Sequence, residues 1–336
     1  MVAALIPLQV VQAASEVTRG TGIACTYKMD FTPGTAVLTR DPSIISIRQA
    51  GSMATRHRTY AGREIIQLEW SGPVTYNWLP NILNCVLGPL STGTGAGADK
   101  LWAFTGTSNT IISDVGDNLK SMCFEVGGVD TWPQEYKLSG CVCTKFELSI
   151  KQDQPWTYKI TWLGTLAAIG AKTGGLTPVA SLQDVLGNTT KAYLDTSSGF
   201  GTTQVVGSVL SADITIDIGA VSRYTLDSLK SPYRVAVTSP RNITAKVILE
   251  HNATTDYTAT FAATAQRLRI KSQGPVLGGT FWIAQFDIPG VWNTFTFGKD
   301  GDVITEELAY QAQYDSVAGM VADIGASVTT NSAALL

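Results

Sequence analysis

The residues that could carry catalysis or hold a metal are sparse and badly spaced in this 336-residue chain. The two histidines, His57 and His251, stand far apart, so no His-Glu-x-x-His or comparable ligand frame can form from them. The five cysteines, Cys25, Cys85, Cys123, Cys141 and Cys143, all fall in the first half. An odd number points to reduced thiols made in a cytoplasm and away from a disulfide scaffold. Cys141-x-Cys143 is expected to place two thiols on one face of a strand, near the upper limit of disulfide reach, and no second pair completes a zinc site. The glycines between Ser91 and Asp99 resemble a phosphate cradle, yet they follow a helical pattern and no Gly-Lys-Ser/Thr comes after them. Lys299-Asp300-Gly301-Asp302 reads as a tight Asp-Gly hairpin turn, because the acidic residues do not continue at calcium-loop spacing. Glu306 and Glu307 are adjacent on a strand and so face opposite sides, and no Gly-x-Ser-x-Gly elbow is present. The expectation is a protein with no catalytic residues, no cofactor and no metal.

Composition points toward assembly. Charged residues make up 15% of the chain, against roughly 25% in ordinary soluble domains. A chain with so few charges is expected to hide surface against other copies. The net charge of −3 argues against a phosphate-binding face, which should be basic, but suits a surface that nucleic acid passes without sticking.

The elements are organised around Leu138 to Gly164. Phe146, Leu148 and Ile150 alternate with Lys145, Glu147 and Ser149, a polar turn ends at Pro155, and Tyr158, Ile160 and Trp162 resume the alternation, the pattern of an antiparallel strand pair with one wet face. A similar unit follows near the C-terminus, from Phe286 through Phe295 and Phe297 to Leu308 and Tyr310. What precedes each unit also matches: Arg63 to Trp70 and Arg241 to Glu250 are strands that each lead into a helical pattern. One supersecondary recipe is therefore expected twice. The boundaries are an N-terminal arm at 1–19, a first domain at 20–165, a Gly/Ala/Ser/Thr-rich linker at 166–204, a second domain at 205–315 and a tail at 316–336.

In chain order, the apolar start to Ser15 is expected as an extended arm, since it lacks the basic residues of a secretory signal and is too short and too polar to span a bilayer. Ile23 to Phe31 and Ala36 to Ile47 are expected strands, the first corresponding to Val205 to Ile218. Arg48 to Gly62 is a projecting loop, the most basic stretch of the chain. Leu79, Ile82, Leu83, Val86 and Leu87 have helical spacing, with Asn77 as cap and Gly88-Pro89 as stop. A short helix is possible at Val179 to Leu186, and a second flanking helix is expected across Tyr257, Phe261, Ala265 and Leu268. The tail after Ser316 is expected as an interface strap or a frayed end.

The run Leu138-Ser139-Gly140-Cys141-Val142, the strand Phe146 to Ile150, and Thr157-Tyr158-Lys159-Ile160-Thr161-Trp162-Leu163-Gly164 resemble the tail tube proteins of long-tailed, siphovirus-type bacteriophages. Asp300-Gly301-Asp302-Val303 leading to Tyr310 through Asp315 is similar to that family's closing strand. The resemblance implies a mainly β fold, two similar β-sandwich or β-barrel domains each with a flanking α-helix. It also implies a virion protein, made in the host cytoplasm, whose copies form stacked rings as the conduit for DNA ejection. Double-stranded DNA would pass without specific binding; tape measure and tail terminator or tail tip proteins would be partners. Three two-domain chains would supply six domains to a ring. A long loop contacts the adjoining ring in that family, which would make Arg48, Arg56, Arg58, Tyr60 and Arg63 inter-subunit contacts. Two readings compete: a two-domain lectin-like sandwich using Trp132, Trp156 and Trp292 as exposed stacking platforms, and another shell or surface-layer protein.

Overall fold

Alternation of buried and wet side chains decides the architecture. Ile66, Leu68 and Trp70, then Phe146, Leu148 and Ile150, then Tyr158, Ile160 and Trp162, then Ala212, Ile214 and Ile216 are all buried, and the polar residues between them are all at least partly exposed. Period two with one dry face is what an antiparallel sheet over a core requires. The computed structural model of the chain describes residues 9–331 except 48–57, 88–92, 96–98, 108–119, 129–134, 180, 197–198, 207, 227–229, 252–264 and 315–321.

The first half contains β1 (Gln9–Ser15), β2 (Tyr27–Lys28), β3 (Val37–Ile47), β4 (Arg58–Pro73), the helix α1 (Leu79–Leu87), β5 (Lys100–Thr107), β6 (Met122–Gly128), β7 (Glu135–Lys151) and β8 (Thr157–Gly170). The second contains β9 (Thr190–Asp195), β10 (Val209–Asp217), β11 (Ala220–Arg223), β12 (Arg234–Val237), β13 (Asn242–Glu250), β14 (Ala265–Leu277), β15 (Thr280–Asp300), β16 (Val303–Ala312) and β17 (Ala322–Thr330). The fold is mainly β, built of large open antiparallel sheets without a closed barrel.

Strand pairing follows the same order twice. In the first half the neighbours run β1-β6-β7-β8-β4-β3, and in the second they run β9-β14-β15-β16-β13-β10. The two runs meet along β7. One edge of β7 is paired with β8 from Glu135 to Ser149, while its other edge takes β6 as far as Cys141 and β10 from Lys145 onward. Eight strands thus lie side by side as β3-β4-β8-β7-β10-β13-β16-β15. A second seam is made by β17, which pairs with β15 on one side and β5 on the other.

The dry face of this row carries the core. Trp70 stacks on Trp162 with ring centroids 5.9 Å apart, Phe124 meets both edge-on, and the Trp70 indole N–H donates to the Tyr158 hydroxyl at 3.1 Å. Trp156 packs on Phe286 from the other half, so the two halves share one continuous core. The helix α1 covers this face with its whole apolar stripe buried. Its first turn is capped by Thr75, whose hydroxyl accepts from the Trp78 amide at 3.2 Å. The expected cap, Asn77, instead binds the Gln183 amide and Asn331.

Several expectations are corrected. The N-terminal segment is no arm: Val10, Val11, Ala13 and Ala14 are buried in β1, paired with β6. Of Ile23 to Phe31 only Tyr27–Lys28 is strand, and by pairing order it is β3 that corresponds to β10. Of Val179 to Leu186, none of the described residues is helical: Ser181 takes φ +59°, and Val185 pairs with both Val74 and Trp156. Tyr257 and Phe261 lie outside the described residues, while Ala265 and Leu268 belong to β14. The tail contributes the buried strand β17, with Ile324 and Val328 fully enclosed. The Lys299 to Asp302 turn is as expected: Asp300 pairs with Val303 across a two-residue loop in which Gly301 takes φ +59°.

All five cysteines are free and buried. Register shifts around residues 139–145 separate Cys141, which senses Glu16, Cys123 and Cys25, from Cys143, which senses Cys85, so the two thiols sit in different clusters. Burial raises every one, Cys85 to about 12, which makes them inert as nucleophiles at neutral pH.

Truncating Trp70 to Ala should cost about 3–5 kcal/mol, read as a lower urea midpoint. Asp195 gives a pH test. Burial raises its pKa, but hydrogen bonds from the Thr202 hydroxyl and the Thr203 and Gly201 amides outweigh that and leave it lowered. A depressed carboxylate stabilises the fold above its unfolded pKa of about 3.9 and loses that contribution as pH falls through the folded value. Asp195→Asn should therefore be less stable than the native protein at pH 6, and the gap should shrink by pH 3.

Candidate functional site

The wet face of the eight-strand row is a continuous polar surface, and cross-strand registers fix its rows. One row runs Thr39, Gln67 and Leu163. Another runs Ser71, Lys159, Glu147, Thr215, Thr244 and Gln311, each directly opposite the next. A third runs Thr157, Ser149, Asp213, Lys246, Ala309 and Thr294. No side chain in these three rows carries a catalytic frame. Apart from Leu163 and Ala309 they are polar, which keeps this face wet.

The charges on the face are mixed with an acidic excess: Glu69, Glu147, Asp213, Asp217 and Glu307 against Lys145, Lys151, Lys159 and Lys246. Three of the lysines are tied to carboxylates, Lys145 to Glu147 at 2.7 Å, Lys159 to Glu69 at 3.4 Å and Lys246 to Glu307 at 2.8 Å, while Lys151 stands exposed at the strand end. Solvent reaches all three pairs, so each is worth about 0–1 kcal/mol to folding. Sequence alternation alone exposes two faces without saying which is wet. The partner strands on the other side settle it.

The row ends in two unpaired borders. Among the described residues β3 pairs only with β4, and β15 beyond Val291 pairs only with β16. Such borders present open amide and carbonyl groups that invite another chain.

Past Ile66, β4 leaves β8 and keeps β3 as its strand partner to the Ile47–Arg58 pair, so the hairpin projects. Its apolar residues have no cover: Ile44 is 60% exposed, Ile45 55% and Tyr60 50%. Of the residues expected to make inter-subunit contacts, Arg58 lies opposite Ile47 and Tyr60 opposite Ile45, both on this projection. Arg63 sits at its root with its guanidinium 5.5 Å over the Tyr224 ring. Arg48 and Arg56 fall outside the described residues. The corresponding connection of the second half, between β10 and β13, does not project. It folds into the β11–β12 pair and lies against β4, where the Glu64 amide donates to the Lys230 carbonyl at 2.8 Å and the Tyr224 hydroxyl donates to the Glu64 carbonyl at 2.7 Å.

The aromatic platforms of a sugar-binding reading are missing where they were expected. Trp156 and Trp292 are both buried, the latter donating to Gln266, and Trp132 lies outside the described residues. His251 is taken up by a contact between its Nδ1 and the carboxyl of the buried Glu306. Glu306 and Glu307 face opposite sides, one enclosed and one half-exposed.

A family model described as phage tail tube protein matches residues 8–312. No curated protein matches the chain.

If the polar face serves something other than folding, its charges should be dispensable to the isolated chain. Lys246→Ala and Lys159→Ala should each change the unfolding free energy by less than about 1 kcal/mol in urea melts.

Proposed function

We propose that this chain, which belongs to the phage tail tube protein family, closes in threes into rings that stack as the tube for DNA delivery. The family is structural and not enzymatic. One observation carries the ring: the in-chain seam between β7 and β10 is a junction whose two partners recur, unjoined, at the outer borders. Pairing order makes β3 the counterpart of β10 and β15 the counterpart of β7. The two stretches expected at 20–165 and 205–315, extended by β1 and β9, then act as two tail-tube-like units, and three chains make a pseudo-sixfold ring.

The seam also supplies a register. Thr215 lies opposite Glu147 within the chain. Thr39 holds the place of Thr215 beside β4, and Thr296 holds that of Glu147 beside β16. The same junction between copies puts Thr39 of one against Thr296 of the next. Repeating it joins both borders of the eight-strand row in a closed circle, which removes that edge liability and gives the assembly its cooperativity.

The dry face must stay on its core, so the polar face turns toward the axis. Its acidic excess, with three of its lysines held by carboxylates, suits a wall past which a polyanion slides without binding. Virion tail location, a tape measure protein inside the tube and terminator or tip proteins at its ends follow from this reading. No helix among the described residues is long and apolar enough to cross a membrane.

Purified protein should form rings of three times the 35.7 kDa chain mass and tubes in electron micrographs. A concentration series that stays monomeric, with no tubes after nucleation, would contradict the proposal. Thr39→Lys with Thr296→Lys should leave a folded chain that assembles poorly. Thr39→Lys with Thr296→Glu should restore assembly, and failure of that rescue would refute the register.

A further inference from the structure

Each half carries a cavity on the dry side of its border strand. In the second half, about 380 Å³ lies between the dry face of β10–β13 and the facing strands β14 and β9, and Ile150 of β7 reaches across the seam to line it. The matching cavity of the first half, about 320 Å³, lies between the dry face of β3–β4 and the facing strands β6 and β7. Ala36, Leu38, Arg40 and Ile66 form one wall, and Val126 and Leu138 form the other. By pairing order Ala36 holds the place of Ala212 and Leu38 that of Ile214. Among the described residues, however, no strand of the same chain pairs with the outer border of β3.

The seam shows what such a border needs. Phe146, Leu148 and Ile150 of β7 lie opposite Ile216, Ile214 and Ala212 of β10, and none of the six is more than 5% exposed. At the far part of β15 the corresponding places are held by Phe295, Phe297 and Lys299. Cross-strand partners put them on the dry face, with Phe295 opposite the buried Leu308 and Phe297 opposite the buried Glu306. Phe297 is nevertheless 59% exposed, an aromatic ring in water at the place where the seam has a buried leucine. Its position is already fixed: Phe295 meets it edge-on at 4.8 Å and the His251 ring at 5.2 Å. A ring held this way loses little freedom on docking.

We infer that Phe297, with Phe295 beside it, is an aromatic plug that seats in the cavity on the dry side of β3 of a second copy, next to that copy's Leu38. This rests on the ring reading and names the apolar contact that holds neighbouring copies side by side. The register that sets Thr39 against Thr296 sets Leu38 directly opposite Phe297, close enough for cross-strand side chains to touch. A cavity of about 150 Å³ takes a benzene-sized group, so the space suffices. Arg40 and Lys299 break the apolar match at its two ends, where long stems let their charged heads stay in water. Backbone pairing alone would tolerate a slip of two residues. One exposed aromatic facing one cavity does not, so the plug also fixes the register.

Phe297 is mostly in water in the single chain, so Phe297→Ala should leave the urea midpoint of unassembled protein unchanged. In sedimentation the same variant should need a roughly tenfold or higher concentration to form rings. Phe297→Leu, which copies the seam, should assemble close to the native concentration. Leu38→Trp, which fills the cavity from within, should block assembly, and adding Phe297→Ala should relieve that block. Rings from Phe297→Ala at the native concentration, or a Leu38→Trp block that Phe297→Ala does not relieve, overturn the inference and leave the ring reading standing. Absence of rings from the native chain defeats the ring reading itself.

Discussion

Backbone groups at a sheet border must find partners, and this chain meets that obligation in three ways. It pairs most borders internally, most tellingly along β7, where β6 and β10 lie end to end on one edge. It covers another with its own C-terminal strand, β17, inserted between β5 and β15. Among the described residues it leaves β3 and the far part of β15 open, at the two ends of the eight-strand row. Everything proposed about assembly depends on that last pair.

The division of labour between the two faces follows from the same constraint. Once β6, β14 and α1 lie over one face, the large side chains must all point to it, and Trp70, Phe146, Tyr158, Ile214 and Tyr310 do. The other face is then free to be chosen for what passes it. Three of its lysines are matched to carboxylates and its remaining positions are mostly threonine, serine and glutamine, a surface with little to grip a phosphate backbone.

How much of this was legible depended on whether an element has a wet side. β7, β8, β10 and β13 announced themselves by alternation because water touches one face. So did α1, whose apolar spacing is helical, and the two-residue Asp300–Val303 turn, where Gly301 supplies the left-handed backbone. β1 and β17 were hidden because both their faces are covered. A strand buried on each side shows an apolar or small-residue run with no period, and at a chain end such a run reads as an arm or a strap. β9 was lost in a Gly/Thr-rich stretch, since Lys191 and Tyr193 give no apolar alternation. Helical spacing at Ala265 and Leu268 was overridden by pairing on both sides, with β15 and β9. The polar face was out of reach altogether, because which side of a strand is wet is a property of its neighbours.

Amide hydrogen exchange on the assembled and unassembled protein measures the open borders directly. Pairing of β3 with β15 between copies predicts that outward amides of Val37 to Asp41 and of Thr294 to Gly298 exchange fast in the single chain and slow by orders of magnitude in the tube. Amides of β7 and β10 should be protected in both. Fast exchange that persists at β3 and distal β15 after tubes have formed would contradict the account at its centre.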